Sequence, residues 1–464
     1  MKEKNFIVLY NPISNEGHLD SWHVLFATLL LRSGYGVVVI TSDPEGLRNK
    51  LNSKGYVPNE TLRIVGMQGQ ESAKPETSEK YRLTEKLRQT WLKWNAYCDE
   101  AQYQQHWRLL QVKKQPLVYL GLRLQFSVLK RLAKLTQFLH GLYKKIKQHQ
   151  PSSAAAASQS LNPEDYLEQV NTELTRQPGQ IQAVLNMYID AYPPTADVWK
   201  SFRFKENTPW GALCITPTER PEQGYYQAPD YKGTLLLDEK LAARYREELP
   251  HFIFEYLPDV ADTALPTQSG RLAHELRVLA GSRKIVFMGG SIGKQKNLSR
   301  WLELIALADP EQWFFVQVGR INKNNLTLED EQALRQVLAR PPENLYIQPA
   351  YLADERTFNE IISISDVIFA VYRDFGRSSN MLSKAAYFEK PILVANQCLM
   401  GDIVEKYCIG FSVPQGDTLA MYQALCNLSK VEHLKAYFQS YRNDFSEEIM
   451  QQKLDNFLQK SISN

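Results

Sequence analysis

The chain has 464 residues, of which 44% are hydrophobic and 23% charged, and its 54 lysines and arginines nearly balance 51 aspartates and glutamates. That length accommodates two domains with full cores, and the composition is ordinary for a soluble globular protein. It argues against a membrane-spanning chain, because the longest apolar stretches run about eight residues where a bilayer needs roughly 20. Five cysteines and eight histidines follow no ligand spacing, which argues against a protein-built metal site and fits free thiols in a reducing compartment. The first apolar run is too short for a signal peptide, so a cytoplasmic location is expected.

Phe6–Tyr10 reads as a buried strand, Asn11–Asp20 as a polar loop, Trp22–Arg32 as a helix and Val37–Ile40 as a second strand. A βαβ unit this short implies a parallel sheet with a right-handed crossover. Ligands of such sheets sit at the carboxyl ends of the strands, which places Asn11–Asp20 at the mouth of a site. From about residue 72 to 150 the pattern is helical, and Pro151 with the Ser/Ala/Gln run after it reads as a flexible link. Strand signals resume at Ala183–Ile189, Gly211–Thr216 and His251–Tyr256. A polar helix near Ser269–Leu279 then leads into Lys284–Met288, Trp313–Val318, Leu345–Ile347, Asp366–Val371 and Pro391–Val394. The segment from about Leu419 is helical and polar enough to lie on the surface. The pattern is α/β, with two doubly wound, Rossmann-like domains over residues 1–265 and 266–430 and a helical segment over 431–464.

Charge is unevenly distributed. Ala101–Pro163 contains no aspartate or glutamate in 63 residues and carries ten lysines and arginines, leaving 44 basic against 51 acidic residues elsewhere. Within this basic insertion (about 75–160), Val128, Leu132, Leu135, Leu139, Leu142 and Ile146 fall on one helical arc of about 80°, with Lys130, Lys134, Lys144 and Lys145 roughly opposite. A basic amphipathic helix with aromatic companions suits the boundary of an anionic membrane. Trp107, Lys130, Arg131, Lys134, Lys144 and Lys145 are the docking candidates. The competing explanation is a stripe packed on its own domain beneath solvated lysines. A nucleic-acid partner is not expected, since no binding module is present and the rest of the chain is acidic.

Two segments carry phosphate chemistry. Val286–Leu298 is a strand, a turn containing Gly289, Gly290, Ser291 and Gly293, and a helix start bearing Lys296. Glycines let the backbone approach a ligand closely, and helix-terminal N–H groups favour phosphate oxygens. Tyr372–Val394 is a strand end, a loop with Arg373, Gly376, Arg377, Ser378, Ser379 and Asn380, a short helix with Lys384, and a Pro-led strand. The three polar residues are good N-caps, and the helix start can donate to a diphosphate. A tight turn and a solvated charge cluster would explain the same residues without a ligand. On the other half, His18 and Asp190 are each able to serve as a general base for an acceptor hydroxyl, and each is equally a residue type used in loops and caps.

Taken together, these residues resemble the GT-B glycosyltransferases, in particular the group 1, family 4-like enzymes that use nucleotide sugars. The likeness covers most of the chain and is strongest over 284–416. It implies two Rossmann-like domains with a cleft between them, and a diphosphate gripped by Lys296 with Gly289, Gly290, Ser291, Arg377, Ser378, Ser379, Asn380 and Lys384 around it. Pro349–Leu352 is similar to the segment facing the nucleotide base, which singles out Tyr351. The family's paired glutamates fall at Gly376 and Lys384, and its phosphate arginine at Gly290, so the site is more cationic than usual. The resemblance implies transfer of a sugar to a glycan or lipid-linked hydroxyl acceptor at the cytoplasmic membrane face. It implies no cofactor and no required metal, because lysines and helix termini can neutralise the departing diphosphate. An epimerase-like enzyme on the same plan and a non-catalytic surface-binding descendant of the fold are the alternatives.

Overall fold

Continuous apolar runs are the signature of parallel strands covered on both faces, and they form the centres of two sheets. A computed structural model describes residues 5–14, 19–67, 161–176, 180–193, 197–221, 223–349, 352, 354–428 and 435–463. The first sheet contains β1 (Phe6–Asn11), β2 (Gly36–Thr41), β3 (Leu62–Gly66), β4 (Ile181–Asn186), β5 (Trp210–Cys214), β6 (Tyr231–Leu236) and β7 (Ile253–Tyr256), in the order β3-β2-β1-β4-β5-β6-β7. The second contains β8 (Lys284–Gly289), β9 (Trp313–Val318), β10 (Leu345–Gln348), β11 (Val367–Ala370), β12 (Ile392–Ala395) and β13 (Gly410–Val413), in the order β10-β9-β8-β11-β12-β13. Every strand pairing in both sheets is parallel. The expected fold class, two doubly wound Rossmann-like units, is the observed one. The basic insertion, with all six docking candidates, lies outside the described residues, and no helix among the described residues is long and apolar enough to cross a membrane.

The first domain packs α1 (Leu19–Arg32) and α2 (Pro44–Ser53) on one face of its sheet and α3 (Pro163–Arg176) on the other, while α4 (Glu239–Glu248) leads into β7. α1 is apolar nearly all round, as befits a helix covered on two sides. Three of its buried residues are polar, Asp20, His23 and Thr28; His23 is fully buried, and burial pushes its pKa down to about 4 against a small opposing pull from Asp20. Since the unfolded chain protonates His23 near its ordinary value of 6.5, stability is complete above that pH and declines as pH falls toward 4. The expected loss is about 3 kcal/mol. Urea titrations at pH 7.5 and 5 check this: a His23→Leu variant should show a flatter pH dependence than the parent.

The second domain is built from α5 (Arg271–Ala280), α6 (Leu298–Leu307), α7 (Leu328–Ala339), α8 (Glu355–Ile364), α9 (Asn380–Tyr387), α10 (Leu399–Tyr407) and α11 (Thr418–Leu428) around the second sheet. Two more helices follow, α12 (Lys435–Asp444) and α13 (Glu447–Ser463). They correct the expectation of a surface-lying terminal segment. α12 buries Phe438 and Tyr441 in the second domain, whereas α13 crosses back and buries Met450, Leu454, Phe457 and Leu458 in the first. Phe457 fits against Gly211 of β5, where an added Cβ would stand 2.6 Å from its ring. Arg32–Glu447 (2.6 Å) and Lys453–Glu255 (3.0 Å) fasten the same helix at its edges. Phe457→Ala is expected to cost about 3–5 kcal/mol, read as a lower denaturant midpoint, and Gly211→Ala to destabilise through the same contact.

Candidate functional site

In a doubly wound sheet the binding crevice opens where strand order reverses, beyond the carboxyl ends. That point lies between β8 and β11 in the second domain and between β1 and β4 in the first. β8 ends at Gly289, and Gly290 adopts φ 94°, a conformation that favours glycine. Gly319, just after β9, has φ 134° and approaches so closely that a Cβ there would stand 2.1 Å from the Gly290 carbonyl oxygen. Exposed Ser291 follows, then a short 3-10 turn over Lys294–Lys296. The Lys296 ammonium donates to the Tyr372 hydroxyl at 2.6 Å and stands 4.0 Å over that ring. Tyr372 lies just beyond β11, so this contact spans the reversal point, and the Gly290 backbone lies beside it.

The two expected phosphate segments are held together by further bonds. Arg373 N–H donates to the Gln295 carbonyl at 2.8 Å, and Arg377 Nη2 reaches Gln295 Oε1 at 3.4 Å. Asn297, left-handed at φ 56°, donates its amide to the carbonyls of Val371 (3.2 Å) and Gln415 (2.8 Å). The Arg373 guanidinium is occupied inside the protein, on Asp330 (3.1 Å), Ser299 (2.9 Å) and Asn297 (3.1 Å). Asp330 is fully buried; burial raises its pKa, but hydrogen bonds from Thr327, Ser299 and Arg373 outweigh that and hold it below the usual carboxylate value. At the start of α9, Ser379 caps the helix through Met381 N–H (3.4 Å), while the Ser378 hydroxyl oxygen is buried with no partner among the described residues. Lys296, the glycine backbone, Ser378 and the α9 N-terminus therefore form a donor-rich, cationic cradle.

Lys384 does not join it. Its side chain is 1% exposed, and its ammonium donates to the Asp262 carbonyl at 3.0 Å and to Glu355 and Asn359 through two very short bonds. Three acceptors use its three protons, leaving none for a phosphate. Burial lowers its pKa, with Glu355 opposing. Asn359 also bonds the carbonyls of Asp262 (3.0 Å) and Ala264 (2.9 Å), and Lys54 of the first domain pairs with the Asp262 carboxylate at 3.0 Å. Lys384 is thus a staple on the interdomain connection, which corrects the expectation of a second phosphate-binding lysine.

Asp190 is similarly committed. It accepts from the N–H groups of Ile215 and Thr216, both at 2.8 Å, from the Thr216 hydroxyl and from the Cys214 thiol at 3.3 Å. This carboxylate ties the loop after β4 to the end of β5; the geometry is that of a structural cap rather than a free general base. His18 and Tyr351 lie outside the described residues. Asn11 at the end of β1 was not singled out by residue type alone: its oxygen accepts from Ile13 N–H at 3.2 Å, and its buried Nδ2 has no partner among the described residues. A crevice between the domains is lined by Ser21 and Trp22 near the start of α1 and by Asn380 at the start of α9, so the strand ends of the two sheets face each other there.

No protein-family model matches the chain, and no curated protein matches it in sequence. Solved structures do match in fold. A glycosyltransferase from Rickettsia africae superposes with TM-score 0.59 at 11% identity, covering 99% of each chain. The HepE protein of Anabaena, solved with UDP and glucose, superposes with TM-score 0.58 at 10% identity over 98% of this chain and 99% of that one. A sucrose-phosphate synthase from Thermosynechococcus elongatus gives TM-score 0.57 at 10% identity over 99% and 100%. The described residues have the GT-B fold of these proteins.

Proposed function

We propose that this chain is a glycosyltransferase that moves a sugar from a nucleoside-diphosphate donor to a hydroxyl acceptor. The observation that carries the reading is the meeting of Lys296 with Tyr372 across the reversal point of the second sheet, beside the Gly290 backbone and the start of α9. A diphosphate bound there accepts from the ammonium, from glycine-loop N–H groups and from the helix terminus. The same donors stabilise the charge that grows on the diphosphate as the sugar leaves, so this chemistry requires no metal. HepE, a structural neighbour, was solved with UDP and glucose, which supports a nucleotide-sugar donor. The first domain's strand ends, including Asn11, would receive the acceptor.

Thermal-shift measurements with UDP, GDP, ADP, CMP and dTDP and their sugars test the reading. A cognate nucleotide at 100 times its Kd stabilises by about 2.7 kcal/mol, giving a melting temperature several degrees higher. Absence of a shift with every nucleotide would remove the donor assignment. The acceptor is proposed to be a glycan or a lipid-linked glycan met at an anionic, cytoplasmic membrane face, with the acid-free segment as the docking element. The protein is then expected to pellet with vesicles containing phosphatidylserine and to be released by salt, since each engaged cation contributes about 1 kcal/mol. Equal pelleting with purely neutral vesicles would defeat electrostatic docking.

A further inference from the structure

A second cavity, of about 540 Å3, opens between the domains. No residue of the Gly289–Lys296 turn or of Ser378–Asn380 lines it. Its walls come from the start of α4 and the end of β7 in the first domain, from α10 in the second, and from the junction where α12 passes into α13. The volume falls within the range that holds a small ligand. Its lining includes Tyr256, Ile403, Tyr407 and Phe445, which give it apolar and aromatic surface.

The rim carries charges of both signs, and each of its three lysines is matched to a carboxylate, while Glu405 accepts from the Ser412 hydroxyl. Lys240 pairs with Asp402 at 2.6 Å and Lys406 with Glu239 at 3.8 Å, both across the domain boundary. Lys453 pairs with Glu255 at 3.0 Å, and the Tyr407 hydroxyl donates to Asp444 at 2.6 Å. An anionic ligand would have to break one of these pairs to be neutralised. A neutral ligand rich in hydroxyls need not: it donates to the carboxylates and accepts from the ammonium groups while the pairs stand. Its C–H faces can lie on the aromatic floor. We infer that this cavity is a saccharide-binding site for one or two rings of an uncharged glycan, separate from the donor cradle. Both domains contribute to it, so a bound sugar also strengthens their association.

The test is a printed array of neutral and anionic oligosaccharides probed with the full chain, followed by calorimetric titration of the oligosaccharides retained. The result expected is saturable binding of neutral oligosaccharides, without any nucleotide present and with affinity unchanged between about 0.05 and 0.5 M salt, a range over which the Debye length shortens about threefold. Leu399→Trp, which fills the cavity, and Asp402→Ala, an exposed rim change that leaves the core intact, should each weaken binding at least tenfold (about 1.4 kcal/mol). An unchanged melting temperature and circular-dichroism spectrum check that both variants are folded. Retention of no neutral oligosaccharide, retention of anionic ones alone, or affinities unchanged in both variants would overturn the inference. Each of these results leaves the donor assignment standing, because that is read by nucleotide binding.

Discussion

Replacing Lys296 with alanine is expected to raise the Kd for the cognate nucleoside diphosphate about 10- to 100-fold, the equivalent of a charge-assisted hydrogen bond worth about 1.5–3 kcal/mol. The lysine is ready for this task because its stem crosses from the β8 side to the β11 side and the Tyr372 ring holds its ammonium from below. Tyr372→Phe keeps the ring and loses one hydrogen bond, so its effect should be smaller, about threefold. Calorimetry on the three proteins decides the matter. A Lys296→Ala protein that binds every nucleotide as tightly as the parent would remove this residue from the site. The affinity of the parent should also fall with added salt, as expected of contacts between unlike charges near the surface.

Lys384→Met is expected to act on stability instead. It removes the ammonium from between Asp262, Glu355 and Asn359, leaving the buried oxygen of Asn359 short of a donor and the Asp262 carbonyl with the Asn359 amide alone. Breaking a buried pair from one side costs about 3–5 kcal/mol. Because the Glu355 side chain is 47% exposed and can turn to water, about 2–4 kcal/mol is the expectation. The variant should unfold at lower urea, while the folded protein at low temperature binds nucleotide within about twofold of the parent. Unchanged stability with a tenfold weaker nucleotide complex would restore Lys384 to the phosphate site.

The difference between these two lysines shows what the sequence made legible. Lys296 follows a strand and a glycine-rich turn, so its own neighbours announce an anion site. Its holder, Tyr372, comes from a strand end 76 positions later, and nothing local marks it. Lys384 sits in an equally suggestive motif, but its acceptors arrive from α8 and from the interdomain connection, and only the fold shows that they enclose it. Asp190 stays open between base and cap in the sequence for the same reason: its donors belong to the end of β5. Among the strands, the continuous apolar runs of β1, β2, β8 and β9 were plain. β3, β6 and β13 escaped, being short or broken by polar residues and glycine, as in Tyr231-Lys-Gly-Thr-Leu-Leu. Gly233 in that strand lies so near β7 that a Cβ would stand 1.9 Å from the Ile253 carbonyl oxygen, a requirement invisible before the strands are paired. The buried stripe of α13 was legible in its spacing: Met450, Leu454, Phe457, Leu458 and Ser461 recur at three and four. Its average polarity concealed it.

That stripe also sets the order of events when the chain is made. The first sheet is finished at Tyr256, yet the side chains that close its core belong to Glu447–Ser463. The intervening stretch of roughly 190 residues takes on the order of 10–40 s to synthesise at about 5–20 residues per second. Throughout that interval the nascent first domain carries an open apolar groove over Gly211, where Phe457 will later fit. Folding of this protein therefore ends in the domain where it began, and a ribosome stalled between the two domains would hold an unfinished core.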